Sequence, residues 1–109
     1  MKRKYRNQPV VIDGVRFASK AEAKRDGELQ LLVRAGQIRD LKRQPRYDLI
    51  VKGTKVCTYV GDWFYIEKGE PGYPNTAVVE DRKGVLTPAF KIKWALAKAL
   101  HPEIEWRLS

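Results

Sequence analysis

The sequence has little of several residue types on which other classes of protein depend. It contains one cysteine, Cys57, so no disulfide can form within the chain. Its one histidine, His101, stands at the end of a predicted helix, and we assign it no catalytic role. No apolar run approaches the roughly 20 residues that cross a membrane, and no apolar segment of a secretory signal follows the basic N-terminus. We therefore expect a cytoplasmic protein without a membrane partner.

Negatively charged residues are also fewer than positively charged residues. The chain has 13 Asp and Glu residues against 22 Lys and Arg residues, which gives a formal net charge of +9 at pH 7. Such a balance favours a polyanionic partner, and nucleic acid is the partner that it indicates. A basic protein with no such partner is the alternative. At 109 residues the chain is expected to form one domain, with residues 1–8 as a loose basic arm.

The most informative stretch is a predicted β-hairpin near the middle of the chain. Val56–Lys68 and Thr76–Lys83 have the composition of strands, and turn-forming residues 69–75 separate them. If the hairpin is symmetric about the Pro71–Gly72 bond, four pairs of residues face each other on one side of the sheet. These pairs are Val60 with Lys83, Asp62 with Asp81, Phe64 with Val79, and Ile66 with Ala77.

This register places two carboxylates directly opposite each other. Opposed Cβ atoms lie about 4.5–5.5 Å apart, and like charges at that separation repel. A divalent cation bound between Asp62 and Asp81 would remove the repulsion, and Lys83 would stand diagonal to Asp62 on the same face. Mg²⁺ commonly binds one or two carboxylates, and Mn²⁺ is the expected substitute. An exposed hairpin with solvated charges is the alternative.

Capping signals locate two helices. Ser19-Lys20-Ala21-Glu22 matches a capping box, and this helix should run to about Ala35. Thr87 followed by Pro88 should open a second helix that ends near Leu100. Asp13-Gly14 between apolar runs predicts a tight hairpin. Further strands are predicted at Ile38–Arg43, Arg46–Val51 and Glu103–Leu108.

Apolar spacing predicts which faces are buried. The first helix is expected to bury Leu29, Leu32 and Ala35, with Ala21 and the stem of Arg25. The second is expected to bury Ala89, Ile92 or Lys93, Leu96 and Ala99–Leu100. Strand alternation puts three aromatic residues on the hairpin face opposite the acids. These residues are Tyr59, Trp63 and Tyr65. We expect them to pack under a helix, and stacking on bases is the alternative.

The predicted hairpin carries one acid on its first strand and, after a long gap, an Asp-x-Lys motif on its second strand. This pattern resembles the core of the PD-(D/E)XK nuclease superfamily. The matching residues are Asp62 and Asp81-Arg82-Lys83, and Gly61 stands where the superfamily has proline. A wider pattern is similar to short, uncharacterised phage and prophage proteins assigned to that superfamily, and it covers Lys4 to Trp106. It comprises Asp13-Gly14, Phe17, Ser19-Lys20, Glu22-Ala23, Gln44-Pro45, Tyr59, Asp62-Trp63, Val79-Glu80-Asp81, Lys83-Gly84 and Thr87.

The resemblance implies a fold and an activity. The fold would be α/β (α+β) with a restriction-endonuclease-like core, a mixed sheet flanked by helices in the order hairpin-α-β-β-β-α-β. The activity would be that of an Mg²⁺-dependent DNA endonuclease, phage- or prophage-encoded and acting in the bacterial cytoplasm in recombination, repair or packaging. It could nick DNA or select junctions and branched DNA. The alternative is a DNA-binding accessory protein with this fold and no cleavage.

The resemblance also suggests roles for individual residues. Asp62 and Asp81 would hold the metal with the backbone carbonyl of Arg82, and Lys83 would orient water or stabilise the phosphate. Many such nucleases carry a glutamate on the preceding helix, so Glu22 is either a third acid or only part of a cap. Glu80 points to the other face by alternation and receives no metal role.

DNA contacts are expected from basic residues of both helices. Because one chain holds one active site, cutting both strands together would require two copies, and a homodimer is therefore expected. The candidate phosphate contacts are Lys20, Lys24, Arg25, Lys91 and Lys93.

Overall fold

The computed structural model describes residues 8–109, so the predicted basic arm lies outside the described residues apart from Gln8. A short hairpin precedes the first helix, five strands separate the two helices, and one strand follows the second helix. In chain order the elements are β1 (Val10–Ile12), β2 (Val15–Phe17), α1 (Lys20–Arg34), β3 (Ile38–Arg43), β4 (Arg46–Val51), β5 (Thr54–Val60), β6 (Trp63–Glu67), β7 (Thr76–Asp81), α2 (Pro88–Leu100) and β8 (Glu105–Leu108).

The strands form three sheets. The largest has the order β3-β6-β7-β8, and the pairs β1-β2 and β4-β5 each form a two-stranded antiparallel sheet. Within the four-stranded sheet β7 and β8 run parallel, whereas the other neighbours are antiparallel. The fold is therefore α+β, with mixed and antiparallel sheets and two helices.

Both helices begin where their capping signals predict. The Ser19 hydroxyl accepts a hydrogen bond from the backbone N–H of Glu22 at 3.1 Å, and the Thr87 hydroxyl accepts one from Phe90 at 3.1 Å. Each bond satisfies a donor that the first turn of a helix leaves without an intrahelical partner. Within residues 8–109 no helix is long and apolar enough to cross a membrane.

The predicted register of the central hairpin is confirmed where β6 and β7 pair. Phe64 faces Val79 and Ile66 faces Ala77, as the symmetric hairpin requires. The predicted continuous strand Val56–Lys68 is wrong, because the chain divides into β5 and β6 at Gly61 and Asp62.

Glycine at position 61 permits this division. A Cβ atom there would lie 2.8 Å from Cγ1 of Val79, so the chain passes too close to β7 for a side chain. The backbone N–H of Gly61 donates to the carbonyl of Pro45 at 3.0 Å, and β5 pairs with β4. Val60 consequently faces Arg46 rather than Lys83. Five strands separate the helices, whereas the order implied by the resemblance has three.

Two apolar clusters lie on opposite sides of the four-stranded sheet. Leu29 of α1 packs with Trp63, Tyr65 and Val78, which confirms that these two aromatic residues lie under a helix. The cluster on the other side joins α2 to the β4-β5 sheet, and its buried members are Leu49, Tyr59, Val79 and Ala97. Tyr59 also packs under a helix, as predicted, but the predicted face is wrong, because the break at Gly61 carries β5 to the side of the sheet that faces α2.

The buried helix faces differ in part from those predicted. In α1 Leu29 is buried as expected, but Ala35 is exposed and the charged Asp26 is buried. In α2 Ile92 is 69 % exposed, and Ala89 and Ala99 are also exposed. Leu96 and Leu100 pack on the core as expected, and they are joined there by three residues that were not expected: Phe90, Trp94 and Ala97.

Candidate functional site

The end of the β6–β7 ladder brings the two predicted acids together. Asp81 is the last residue of β7, and Asp62 directly precedes β6, whose first residue pairs with Glu80. The backbone N–H of Asp62 donates to the carbonyl of Glu80 at 3.2 Å. The backbone N–H of Arg82 donates to Oδ2 of Asp62 at 2.8 Å, which fixes that carboxylate beside the end of β7.

The carboxylate of Asp81 is fully buried and only half satisfied. Its Oδ2 accepts a hydrogen bond from the hydroxyl of Tyr59. Its Oδ1 is buried without a hydrogen-bond partner among residues 8–109. The ammonium of Lys83 lies 3.6 Å from this oxygen and 4.8 Å from the centroid of the Phe90 ring. At 3.6 Å the ammonium compensates charge without completing a hydrogen bond.

Three carboxyl groups at this site have pKa values above their ordinary range, those of Asp81, Asp62 and Glu22. Burial is the main cause of the raised pKa of Asp81, and the charge of Asp62 adds to it, whereas Tyr59 and Lys83 act in the opposite direction. Burial also raises the pKa of Asp62 against the effects of the Arg82 N–H and Lys83. The charged forms are therefore disfavoured until a further cation is present.

Glu22 lies in the first turn of α1, within the field of the other charged groups. Burial raises its pKa first, and the negative charge of Asp62 raises it further, whereas Lys83 lowers it. The Ser19 cap uses the backbone N–H of Glu22. In the part of the chain that the structure describes, the Glu22 carboxylate accepts no hydrogen bond from the Ser19 N–H. The cap and a site role for the carboxylate are thus compatible.

The donor set agrees with a hard divalent cation held partly by backbone and solvent. Across residues 8–109, no three His, Cys, Asp or Glu side chains converge as a group able to hold a metal. Two adjacent acids are present, however, and one of their buried oxygens lacks a partner. Mg²⁺ commonly binds one or two carboxylates and keeps several waters. The carboxylates of Asp62 and Asp81 fit that requirement, and the backbone carbonyl predicted as a further ligand, that of Arg82, follows Asp81 directly in the chain.

Glu80 serves the opposite side of the sheet. Its buried carboxylate accepts bonds from Arg25 Nε at 2.6 Å, Arg25 Nη2 at 3.0 Å and the Tyr65 hydroxyl at 2.6 Å. Arg25 also contacts Glu28 at 3.2 Å. The guanidinium expected to contact phosphate is therefore engaged inside the protein. The other candidate phosphate contacts are exposed: Lys20, Lys24, Lys91 and Lys93.

Sequence reasoning missed two polar residues that organise this region. Tyr59 was placed on the wrong face, and the only signal for its position was glycine at Gly61. Asp26 belongs to no motif of the sequence analysis. It is buried and accepts hydrogen bonds from Arg43 at 2.8 Å and from Trp63 Nε1 at 3.0 Å. Gln30, four positions along α1, also donates to Asp26 at 2.7 Å, but Arg43 and Trp63 are distant in the sequence, so local spacing does not predict that Asp26 is buried.

Comparison of the chain with curated proteins finds no match, and comparison with solved structures finds none either. A protein-family model matches residues 2–108, nearly the whole chain. The chain therefore belongs to the family DUF1064, whose description is "protein of unknown function".

Proposed function

We propose that this protein is a metal-dependent DNA endonuclease with a restriction-endonuclease-like core. The observation that carries the proposal is the pairing of Asp62 and Asp81 at one end of the β6–β7 ladder, with Lys83 beside the unpartnered oxygen of Asp81. Two adjacent acids and a lysine are a suitable set for phosphodiester hydrolysis, which needs a cation, an oriented water and compensation of charge on the phosphate.

Different residues of the site would bind the metal, orient the water and bind the phosphate. Asp62, Asp81 and the Arg82 carbonyl would hold Mg²⁺, or Mn²⁺ in its place. A divalent cation supplies Lewis acidity toward water and phosphate oxygens. Lys83 has three N–H donors on a compact charge, and would orient the attacking water or bind a phosphate oxygen. Glu22, with its raised pKa, would accept a hydrogen bond from that water and fix its direction.

The charge of the chain supports DNA as the substrate. The net charge is +9, and exposed lysines occur on both helices. Phosphate contacts would hold the duplex with little regard to sequence. The resemblance to short phage and prophage proteins supports a role in recombination, repair or packaging in the bacterial cytoplasm, either by nicking DNA or by selecting junctions and branched DNA. A homodimer would allow both strands to be cut together.

A DNA-binding accessory protein without cleavage is the second candidate. Its supporting observation is that the net charge favours polyanion binding whether or not an active site exists.

Incubating plasmid and branched DNA with Mg²⁺, Mn²⁺ or EDTA distinguishes the candidates. We expect nicked or linear product with either metal, none with EDTA, and none from Asp81→Asn. A purified wild-type protein that retards DNA in a gel but leaves it intact with both metals would support the accessory role and contradict the endonuclease.

A further inference from the structure

Tyr59 makes the direct protein hydrogen bond to Asp81 that the sequence did not reveal. The Tyr59 hydroxyl donates to Oδ2, and both residues are almost fully buried, with 2 % of Tyr59 and 0 % of Asp81 exposed. A carboxylate buried at this depth needs donors to remain ionised. Tyr59 supplies one donor to one oxygen, and the other oxygen is left without a bond in the described part of the chain.

The ring of Tyr59 is held firmly enough to fix its hydroxyl. Trp106 meets it edge-on, with ring centroids 5.3 Å apart and planes at 86°. Phe90 and Trp94 of α2 each lie 6.2 Å from it, centroid to centroid. Edge-to-face and tilted contacts of this kind are favourable aromatic arrangements, and the aromatic rings restrict rotation of the phenol away from Asp81.

The chain break at Gly61 explains how Tyr59 reaches Asp81. If β5 and β6 were one strand, Tyr59 would share a face with Trp63 and point away from the acids. Because a glycine lets the chain pass over Val79, β5 leaves the four-stranded sheet and turns Tyr59 toward α2. The short segment 59–62 thus places both Asp62 and the hydroxyl of Tyr59 beside the carboxylate of Asp81.

We propose that Tyr59 is a positioning residue, which holds Oδ2 of Asp81 and leaves Oδ1 as the oxygen that binds a divalent cation. The inference rests on the proposed metal site and goes beyond it, because it predicts that Asp81 binds through one oxygen.

Mn²⁺ binding tests the inference without relying on activity. Free Mn²⁺ is titrated against the full-length protein by electron paramagnetic resonance, at 25 °C and without DNA. Groups that hydrogen-bond a ligating carboxylate typically account for about 10- to 100-fold in metal affinity. Tyr59→Phe removes only the hydroxyl, so we expect Mn²⁺ affinity to fall by about that factor. Thermal melting in EDTA verifies that the variant is folded at the titration temperature.

Tyr47→Phe is the matched control. Tyr47 belongs to the same cluster and contacts Trp106 at 5.6 Å, but among residues 8–109 its hydroxyl makes no bond to an acid. We expect this variant to bind Mn²⁺ as the wild type does. Equal affinity in Tyr59→Phe and wild type, or an equal loss in the two variants, overturns the role of Tyr59. A wild-type protein that binds no Mn²⁺ overturns the metal site of the proposed function as well.

Discussion

The ion pair between Arg25 and Glu80 provides a sharp test of the packing on the α1 side of the sheet. Arg25→Ala would leave the Glu80 carboxylate, fully buried, with the Tyr65 hydroxyl as its remaining side-chain donor among the bonds that the structure describes. Desolvation pushes the pKa of Glu80 upward, and the bonds from Arg25 and Tyr65 outweigh it, so the pKa lies below its ordinary value. Without Arg25 that compensation is mostly lost.

The expected loss of stability can be worked from the burial of the two partners. Removing one partner of a buried ion pair costs about 3–5 kcal/mol, because the other charge remains buried. The Arg25 side chain is 26 % exposed, so water can partly replace it and the lower end of that range applies. For a domain near 100 residues, each kcal/mol lowers the melting temperature by about 4–8 °C. Arg25→Ala should therefore melt about 12 °C or more below wild type.

Urea and thermal unfolding measure this loss, and DNA affinity is measured on the same samples. Arg34→Ala is the control, because Arg34 is exposed in the last turn of the same helix, where a favourable charge is worth about 0.3–1 kcal/mol. Replacing both partners, Arg25→Met with Glu80→Leu, should cost less than Arg25→Ala alone. Unchanged stability in Arg25→Ala together with weakened DNA binding would refute this reasoning and return Arg25 to the DNA-binding surface.

Three further expectations concern the site, the chain break and DNA binding. Glu22→Gln should keep the melting temperature and lower DNA cleavage by orders of magnitude, whereas Ser19→Ala should cost about 1 kcal/mol of stability and leave cleavage intact; unchanged cleavage in Glu22→Gln removes that carboxylate from the site. Gly61→Ala should cost about 1–3 kcal/mol in urea unfolding, because its Cβ would meet buried Val79 at 2.8 Å, whereas Gly27→Ala in α1 should stabilise by up to about 1 kcal/mol; equal effects would contradict the close approach. DNA affinity should fall steeply with salt, by about 0.9 in log K per unit of log salt for each phosphate contact, and a flat dependence would exclude a phosphate-binding surface.

Features encoded by neighbouring residues were predictable from the sequence. The Asp13-Gly14 turn forms because both residues take positive φ angles, 50° and 79°, as a two-residue hairpin requires. Ser19 and Thr87 cap their helices through bonds to residues three positions away. The β6–β7 register followed from matching apolar residues across the strands, and it brought Asp62 beside Asp81.

Features that depend on distant contacts were not predictable in the same way. The division of β5 from β6 depends on the approach of Gly61 to Val79, which no local pattern expresses. The face of α2 was predicted only in part, because alanine, leucine and isoleucine occur around the whole helix, so apolar spacing alone did not select Phe90 and Trp94. Buried Asp26 depends on partners from β3 and β6.

Asp62→Asn tests the central claim most directly, when its DNA cleavage and DNA affinity are measured together. A labelled duplex is incubated with wild type and variant in Mg²⁺, and the cleavage rate and Kd are read from the same preparation, with circular dichroism to verify folding. The account predicts that cleavage falls by about two orders of magnitude or more, since metal charge stabilisation is worth several kcal/mol and each ~1.4 kcal/mol is about tenfold in rate. It also predicts that Kd is unchanged or lower, because a negative charge near phosphate has been removed. Full cleavage by Asp62→Asn, or none by the wild-type protein, would contradict the claim that Asp62, Asp81 and Lys83 form a hydrolytic site.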